Sequence, residues 1–395
     1  MATAEKAPQA GSPAESPIGF EVLAQSPSGA RAGLMHTRRG PVETPIFMPV
    51  ATHATIRMMG SEEIEALGPR ILLANTYHLM LKPGVEVFQN FGGIQRFMSW
   101  NGLVLTDSGG FQIFSLPTDR EITEKGALFR SFRDNSRQML SPERSIEVQQ
   151  AIGSDIMMVL DVCIDSTTDE PGTRAAMERT HRWALRSLAA KNAVDTGQAL
   201  FAIVQGGIRP HLREESAAFL TQHPFDGFAI GGLAVGEPRE ELYALCGFTA
   251  PLLPAHRPRY LMGVGTPIDL VECVARGVDM FDCIIPTKMA QQGYAYTFEG
   301  LLRLSRTAFR LSDEPLDATC DCLTCRKFSR GYLQHLTSDK HHLGARLLSV
   351  HNVRHYQLLM RRMRAAIFEG TFPAVYAELR ERLTPPARKK ALALP

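Results

Sequence analysis

Short apolar runs recur along the chain at regular intervals, and each ends in a polar or glycine-rich cluster. From position 45 onward there are eight: PIFMPVATH (from 45), ILLANTYH (71), LVLTDSGG (103), IMMVLDV (156), LFAIVQGG (200), GFAIGGLA (227), YLMGVG (260) and MFDCIIPT (280). Their near-continuous hydrophobicity predicts strands buried on both faces, as in a parallel sheet. Segments with helix signals lie between them. SEEIEALG follows the first run, and SPERSIEVQQAIG precedes the fourth with Ser141 as N-cap, Pro142 in the first turn and Glu143 just inside. TRAAMERTHRWALRSLAAKNA, HLREESAAFLTQ, REELYALCGF and PIDLVECVARG follow in turn. Eight strands interleaved with helices predict an α/β fold of the (β/α)8 barrel type, with a doubly wound open sheet as the second choice.

In a barrel the polar strand ends share one rim, where this fold places its active sites. That rim gathers Asn75, His78, Asp107, Ser108, Asp161, Gln205, Gly231, Gly232 and Asp282. Asp282 stands out because Met280, Phe281, Cys283, Ile284 and Ile285 surround it, and burying a carboxylate there is costly unless something offsets the desolvation. Each residue also has a plainer reading. Asn75 and His78 can cap the next element, Asp161 can pair with an arginine, Gln205 can bond a neighbouring strand, and Asp282 can sit on an exposed edge. Together they describe a pocket for a flat polar ligand. None of the glycine clusters has the dinucleotide or P-loop spacing, so no nucleotide cofactor is expected.

With 395 residues and a formal charge of +2, the chain has room for a barrel with additions, and any nucleic-acid partner must be met by a local basic patch. No apolar run reaches the roughly eighteen residues of a membrane span, so no membrane association is expected. The first seventeen residues, rich in Ala, Pro, Ser and Glu, read as a disordered tail and not as a secretory or transit peptide. Seven cysteines, three within six residues, point to a reducing compartment and hence the cytoplasm. Cys320, Cys322 and Cys325 have the spacing of thiolates that converge on one Zn2+. The fourth ligand must come from elsewhere, and spacing leaves His335, His341, His342 and His351 open. A closed site of this kind is structural. Cys163, Cys246, Cys273 and Cys283 lie in apolar runs and read as core. Downstream, Arg354, Arg361, Arg362 and Arg364 on a helical segment beside the zinc module suit contact with an RNA backbone.

LTDSGGFQ, GSDIMMVLD, IVQGG, IGGLAVGE, YLMGVG, MFDCIIPT and CDCLTC occur in the order found in tRNA-guanine transglycosylases, and from about residue 18 to about residue 380 the chain resembles their bacterial branch. The resemblance implies an irregular (β/α)8 TIM barrel with a zinc-binding insertion. The activity it implies is exchange of the wobble guanine of tRNAs for Asp, Asn, His and Tyr for 7-aminomethyl-7-deazaguanine (preQ1), or for queuine as in eukaryotic members. Asp282 then matches the nucleophile and Asp107 the general acid/base. Asp161, Gln205 and Gly232 match groups that read the base edge, Phe111 and Met262 those that sandwich its plane, and Ser108 lies beside it. Among the histidines the resemblance selects His351 as the fourth zinc ligand. Arg57 and Lys288 are the expected RNA contacts, the tRNA anticodon loop, deazaguanine and guanine the expected partners, and a homodimer the expected assembly. The implied division is 1–17 disordered tail, 18–287 barrel with N-terminal strands, 288–350 zinc-binding subdomain, 351–383 helical region completing the barrel, and 384–395 flexible tail.

Departures from the family pattern mark this chain. Val162 replaces a glutamate after the base-reading Asp161, Lys288 and Gln291 replace two arginines that read flanking bases, and Ala51 and His53 stand where the family is richer in glycine. Lys cannot reproduce a bidentate arginine contact. Val235 keeps the bacterial choice, which favours the smaller aminomethyl base. Three other readings fit less well: a non-catalytic tRNA-binding partner subunit, disfavoured by the presence of both Asp107 and Asp282; a zinc hydrolase, for which the first strand offers only His53; and an archaeal-type enzyme, for whose extra RNA-binding domains the chain has little room.

Overall fold

Each of the eight apolar runs becomes a short parallel strand in the computed structural model, which describes residues 16–115 and 120–385. The strands are β1 (Ile46–Pro49), β2 (Ile71–Ala74), β3 (Leu103–Thr106), β4 (Ile156–Met158), β5 (Ala199–Val204), β6 (Gly227–Ile230), β7 (Arg259–Leu261) and β8 (Met280–Cys283). They pair in the order β1-β8-β7-β6-β5-β4-β3-β2, and a parallel bridge between Val50 and Leu73 joins the two end strands. The sheet therefore closes on itself as an irregular TIM barrel, which excludes the open-sheet alternative. The continuous apolar runs are explained by burial on both faces: every residue of β5 is buried, packed inward against the barrel axis and outward against helices.

Local signals place the helices. Ser141 caps Pro142–Ile152, its Oγ accepting from Arg144 N at 3.1 Å, as its sequence predicts. The helix Glu170–Ala193 begins before the expected Thr173, because Asp169 caps it by accepting from Gly172 N at 3.0 Å. After β8 come a short helix Ile285–Gln291, the segment carrying the cysteines, and a long helix His342–Phe368. That helix packs against β1, with Gln357 Nε2 donating to Phe47 O at 3.0 Å and the Tyr356 and Phe47 rings 4.6 Å apart.

An antiparallel sheet of Gly19–Gln25, Arg31–Thr37 and Gly40–Thr44 covers the N-terminal end of the barrel. Arg31 bonds Asp279 just before β8, Arg38 and Arg39 both reach Asp155 Oδ1 at 2.8 Å just before β4, and Ser16 Oγ bonds Asp226 just before β6. Asp279 is fully buried but well satisfied, since Arg31 Nε and Arg259 N also donate to it at 2.9 and 2.7 Å. Ordered bonds close this end and leave the opposite end to open. Between β3 and β4 the chain adds a second antiparallel sheet, Arg120–Ile122, Ala127–Arg130 and Arg137–Leu140, which the hydrophobic pattern did not reveal. Residues 1–15 and 386–395 of the expected tails lie outside the described residues. Among the described residues no helix is long and apolar enough to cross a membrane.

Candidate active site

The C-terminal strand ends surround a cavity of about 430 Å³, and Asp107, Ser108, Phe111, Asp161, Gly232, Met262 and Asp282 all line it. Of the expected pocket residues Gln205 alone stands behind the wall. The barrel thus brings together residues 175 positions apart, from Asp107 to Asp282. Cys163 and Cys283, expected as core, also border the cavity: Cys283 is the last residue of β8, and Cys163 lies in the segment that follows β4. Val162 does not: its side chain is buried in an apolar cluster with Ile113 and Trp183.

Asp282 lies on β8, beside Met48 of β1 in the ladder. Its Oδ1 accepts from Tyr260 Oη at 2.6 Å and from Gly263 N at 2.8 Å. Among the described residues none donates to Oδ2. Burial pushes the carboxyl up to about 6, against those two bonds, and the nearby Asp107 adds to the rise. Burial and the adjacent Asp282 hold the Tyr260 phenol well above its ordinary range, so it remains a donor.

Asp107 is more heavily bonded. Oδ1 accepts from Thr76 N at 2.8 Å and Gly109 N at 3.2 Å, and Oδ2 from Asn75 Nδ2 at 2.5 Å and Gln112 Nε2 at 2.8 Å. Asn75 occupies a helix N-cap position yet does not cap with its side chain, which it spends on Asp107 instead. Burial outweighs all four donors and raises the Asp107 pKa above the ordinary carboxylate value. A buried carboxyl ringed by donors but still inclined to hold a proton suits a group that must both give and take one.

Asp161 completes the acidic set. Ser108 Oγ donates to its Oδ1 at 3.2 Å and Gln205 Nε2 to its Oδ2 at 2.8 Å, while burial lifts it to about 6. Behind this wall the fully buried Arg213 donates from Nε to Gly207 O at 2.7 Å and from Nη2 to Gly231 O and Gly232 O at 3.1 and 3.2 Å. Burial lowers Arg213 to about 10, which leaves it charged at neutral pH. With the Gly231 carbonyl drawn back to Arg213, the N–H of Gly232 in the same trans peptide points the other way, toward the cavity. Gly232 adopts φ +62°, and a Cβ there would collide with Gln205 Oε1. One turn along, Ala234 N and Val235 N both donate to Glu237, which turns the Leu233 carbonyl away from Glu237.

Arg57 and Lys288 are exposed and do not line the cavity, and Arg57 Nη1 donates to Gln291 Oε1 at 2.6 Å. The basic helix proves mostly structural. Arg354 bonds Asp321 and Leu67 O, Arg364 is buried on the carbonyls of Gly33 and Thr44, and Arg362 pairs with Glu378.

Cys320, Cys322, Cys325 and His351 converge, with their ligand atoms all within 4.8 Å of one another and all four residues buried. His351 Nδ1 lies 3.2 Å from Cys325 Sγ and 3.8 Å from Cys322 Sγ, while Nε2 bonds Tyr296 O at 2.7 Å. That outer bond places the proton on Nε2 and frees Nδ1 as a ligand, the arrangement typical of metal-bound histidine. The donor set fits a metal ion and is compatible with zinc. His335 and His341 form a separate, exposed group with Asp339.

Tyr260, Arg213 and Glu237 were not singled out from the sequence. Tyr260 lay in a recognised motif, but its bond to Asp282 depends on two strands being neighbours. Glu237 likewise ends the quoted IGGLAVGE motif, and Arg213 looks like an ordinary helix charge until the glycine loop folds onto it.

A family model described as queuine tRNA-ribosyltransferase matches residues 26–385. A queuine tRNA-ribosyltransferase of Thioalkalivibrio sulfidiphilus is 51% identical over 359 residues, covering 91% of this chain and 96% of the relative. Relatives of the same name from Herpetosiphon aurantiacus and Solidesulfovibrio magneticus are 49% and 47% identical over 350 and 361 residues, covering 89% and 91% of this chain and 89% and 97% of the respective relative.

Proposed function

The chain belongs to the queuine tRNA-ribosyltransferase family of pentosyltransferases, and from that premise we propose that it exchanges the wobble guanine of GUN-anticodon tRNAs (Asp, Asn, His and Tyr) for preQ1 in queuosine biosynthesis. The observation that carries this reading is the pairing, in one cavity, of a carboxylate with a single oxygen held, Asp282, and a second buried carboxyl, Asp107.

Asp282 attacks the anomeric carbon of the target ribose. A C–O bond forms as the glycosidic C–N bond breaks, and the departing guanine takes the electron pair and a proton from Asp107. The incoming base then gives its ring proton to Asp107 and attacks the same carbon, and the ester bond breaks to return Asp282 as carboxylate. Two inversions retain the configuration. Asp161 accepts from the amino and ring N–H groups of the base, the Gly232 N–H serves its carbonyl, and Gln205 holds Asp161 from behind. Phe111 and Met262 enclose its plane, and Ser108 steadies Asp161. The target nucleotide is splayed out of the anticodon loop, and Arg57 and Lys288 contact its phosphates.

The loop beside the cavity supports the aminomethyl base. Glu237 holds the amides of Ala234 and Val235, so the Leu233 carbonyl is available to accept from an ammonium group. Cys320, Cys322, Cys325 and His351 hold one structural Zn2+, which cross-links the insertion to the long helix and takes no part in the exchange. A homodimer, a cytoplasmic location and the division into barrel (18–287), zinc subdomain (288–350) and closing helices (351–383) belong to the same reading; seven free cysteines support a reducing compartment.

The test is exchange of labelled guanine into a GUN-anticodon tRNA by the wild type and Asp282→Ala, with preQ1 and queuine as competitors. Exchange abolished in the variant and blocked best by preQ1 is expected. No exchange by the folded, metal-loaded wild type contradicts the activity, and stronger competition by queuine contradicts the choice of base.

A further inference from the structure

Three aromatic rings stand in a row at the cavity mouth, and the chemistry above uses none of them. His53, exposed just after β1, has its ring centroid 4.9 Å from that of His78. His78 follows β2 and lines the cavity. Its ring lies 6.0 Å from Phe132, which Tyr77 also approaches at 5.9 Å. Phe132 sits between the strands Ala127–Arg130 and Arg137–Leu140 and is 59% exposed. The same hairpin carries Arg130 and Arg137 at its strand ends and Arg133, whose Nη1 donates to Leu81 O, in its turn, against the single Asp134.

A solitary exposed phenylalanine is unremarkable on any surface. This one extends a row of rings outward from the lip of the candidate active site, on a hairpin of net positive charge. The His78 ring meets His53 and Tyr77 edge-on, at interplanar angles of 70° and 82°, and Phe132 at 53°, while burial and the proximity of His53 lower its pKa and favour the neutral ring. His53 takes part although the resembled family is richer in glycine there, so the row is longer in this chain than a glycine would allow.

We propose that His53, His78 and Phe132 form a stacking platform for an unpaired nucleotide adjacent to the target in the RNA strand, with the hairpin arginines beside its phosphates. The inference rests on the tRNA reading above. Delivering one base into the cavity pulls it out of register with its neighbours, which lose their stacking partner. An aromatic face at the mouth replaces that partner for any base, because every base offers a π-face, and arginine contributes charge complementarity to the backbone. The platform therefore supplies affinity without sequence preference. That matters where Lys288 and Gln291 stand in place of two base-reading arginines.

The test measures the Kd for a GUN-anticodon tRNA, the KM for guanine and the melting temperature of the wild type, Phe132→Ala, Phe132→Trp and His53→Gly. For Phe132→Ala the expected result is tRNA affinity weakened by about fivefold or more, with the KM for guanine and the melting temperature unmoved. Phe132→Trp, which keeps a stacking face, stays within about twofold of wild type, and His53→Gly weakens tRNA binding in the same direction. Unchanged tRNA binding by Phe132→Ala, or a loss that appears equally in the KM for guanine, overturns the platform while leaving the enzyme's function intact. A wild type that neither binds nor exchanges tRNA overturns both.

Discussion

The Tyr260 phenol donates to Oδ1 of Asp282 at 2.6 Å across the neighbouring strands β7 and β8, and Gly263 N reaches the same oxygen at 2.8 Å. Two donors on one oxygen fix the carboxylate plane, and Oδ2 is left without a donor among the described residues. The hydrogen bonds favour the anion, burial opposes it, and the balance falls at about 6. A nucleophile so placed is ionised at neutral pH yet more basic than an exposed aspartate.

The pH dependence follows from that balance. Protonated Asp282 cannot attack, so kcat/KM rises with pH through about 6 and declines again only where Asp107 loses the proton it must give to guanine. Tyr260→Phe removes a donor that favours the anion and shifts the midpoint upward by about one unit or more. For a one-unit shift, activity at pH 7 falls about twofold, and it recovers as the pH is raised further. Parallel pH–rate profiles check this, and an unmoved midpoint shows that Tyr260 does not tune the nucleophile.

Stability should move the opposite way from activity. The folded pKa of Asp282 lies above its ordinary value of 3.8, so between that value and about 6 the folded state binds more protons than the unfolded one. Stability therefore falls as pH rises through this window, and the cost is fully present at neutral pH. Asp161, also lifted to about 6, adds to it. Asp282→Asn removes the buried charge and is expected to unfold later in urea at pH 7, by up to about 3 kcal/mol, with little difference from wild type at pH 4. Equal stabilities at both pH values would show that the carboxylate is not strained by its burial.

Metal removal tests the cysteine cluster. Native protein should contain one zinc per chain, held by the four buried ligands. Chelation, or His351→Ala, is expected to destabilise the protein by several kcal/mol, lowering the melting temperature on the order of 10 °C. Added zinc restores the chelated protein but not the variant. His341→Ala, in the exposed group, leaves zinc content and melting temperature unchanged. Elemental analysis with thermal melts decides between the two clusters.

All eight barrel strands were legible, because strands buried on both faces leave unbroken apolar runs that few other elements produce. The sheet formed by Arg120–Ile122, Ala127–Arg130 and Arg137–Leu140 was not. Its strands are short and half-exposed, and arginines begin or end each of them, so neither alternation nor hydrophobicity marks them. The helix at Glu170 starts earlier than its pattern suggests, since Pro171 and Gly172 resemble a loop until the Asp169 cap is seen. Asp107, Asp161 and Asp282 stood out as carboxylates at the ends of apolar runs. What holds them, Tyr260, Gln205, Asn75 and the Arg213 behind the glycine loop, depends on which strands become neighbours. The arginines of the helix His342–Phe368 looked like a binding face, but most are paired with carboxylates or backbone carbonyls, a distinction that composition cannot draw.

The most direct test of the central claim is to mix enzyme with a GUN-anticodon tRNA, quench in denaturant and resolve the products by mass. Wild-type enzyme should yield a denaturant-stable adduct of one protein chain and one tRNA, linked through Asp282 and discharged by added preQ1. Asp282→Asn, folded and metal-loaded, should yield none. An adduct that survives in the variant, or maps to another residue, contradicts the assignment of Asp282 as the nucleophile.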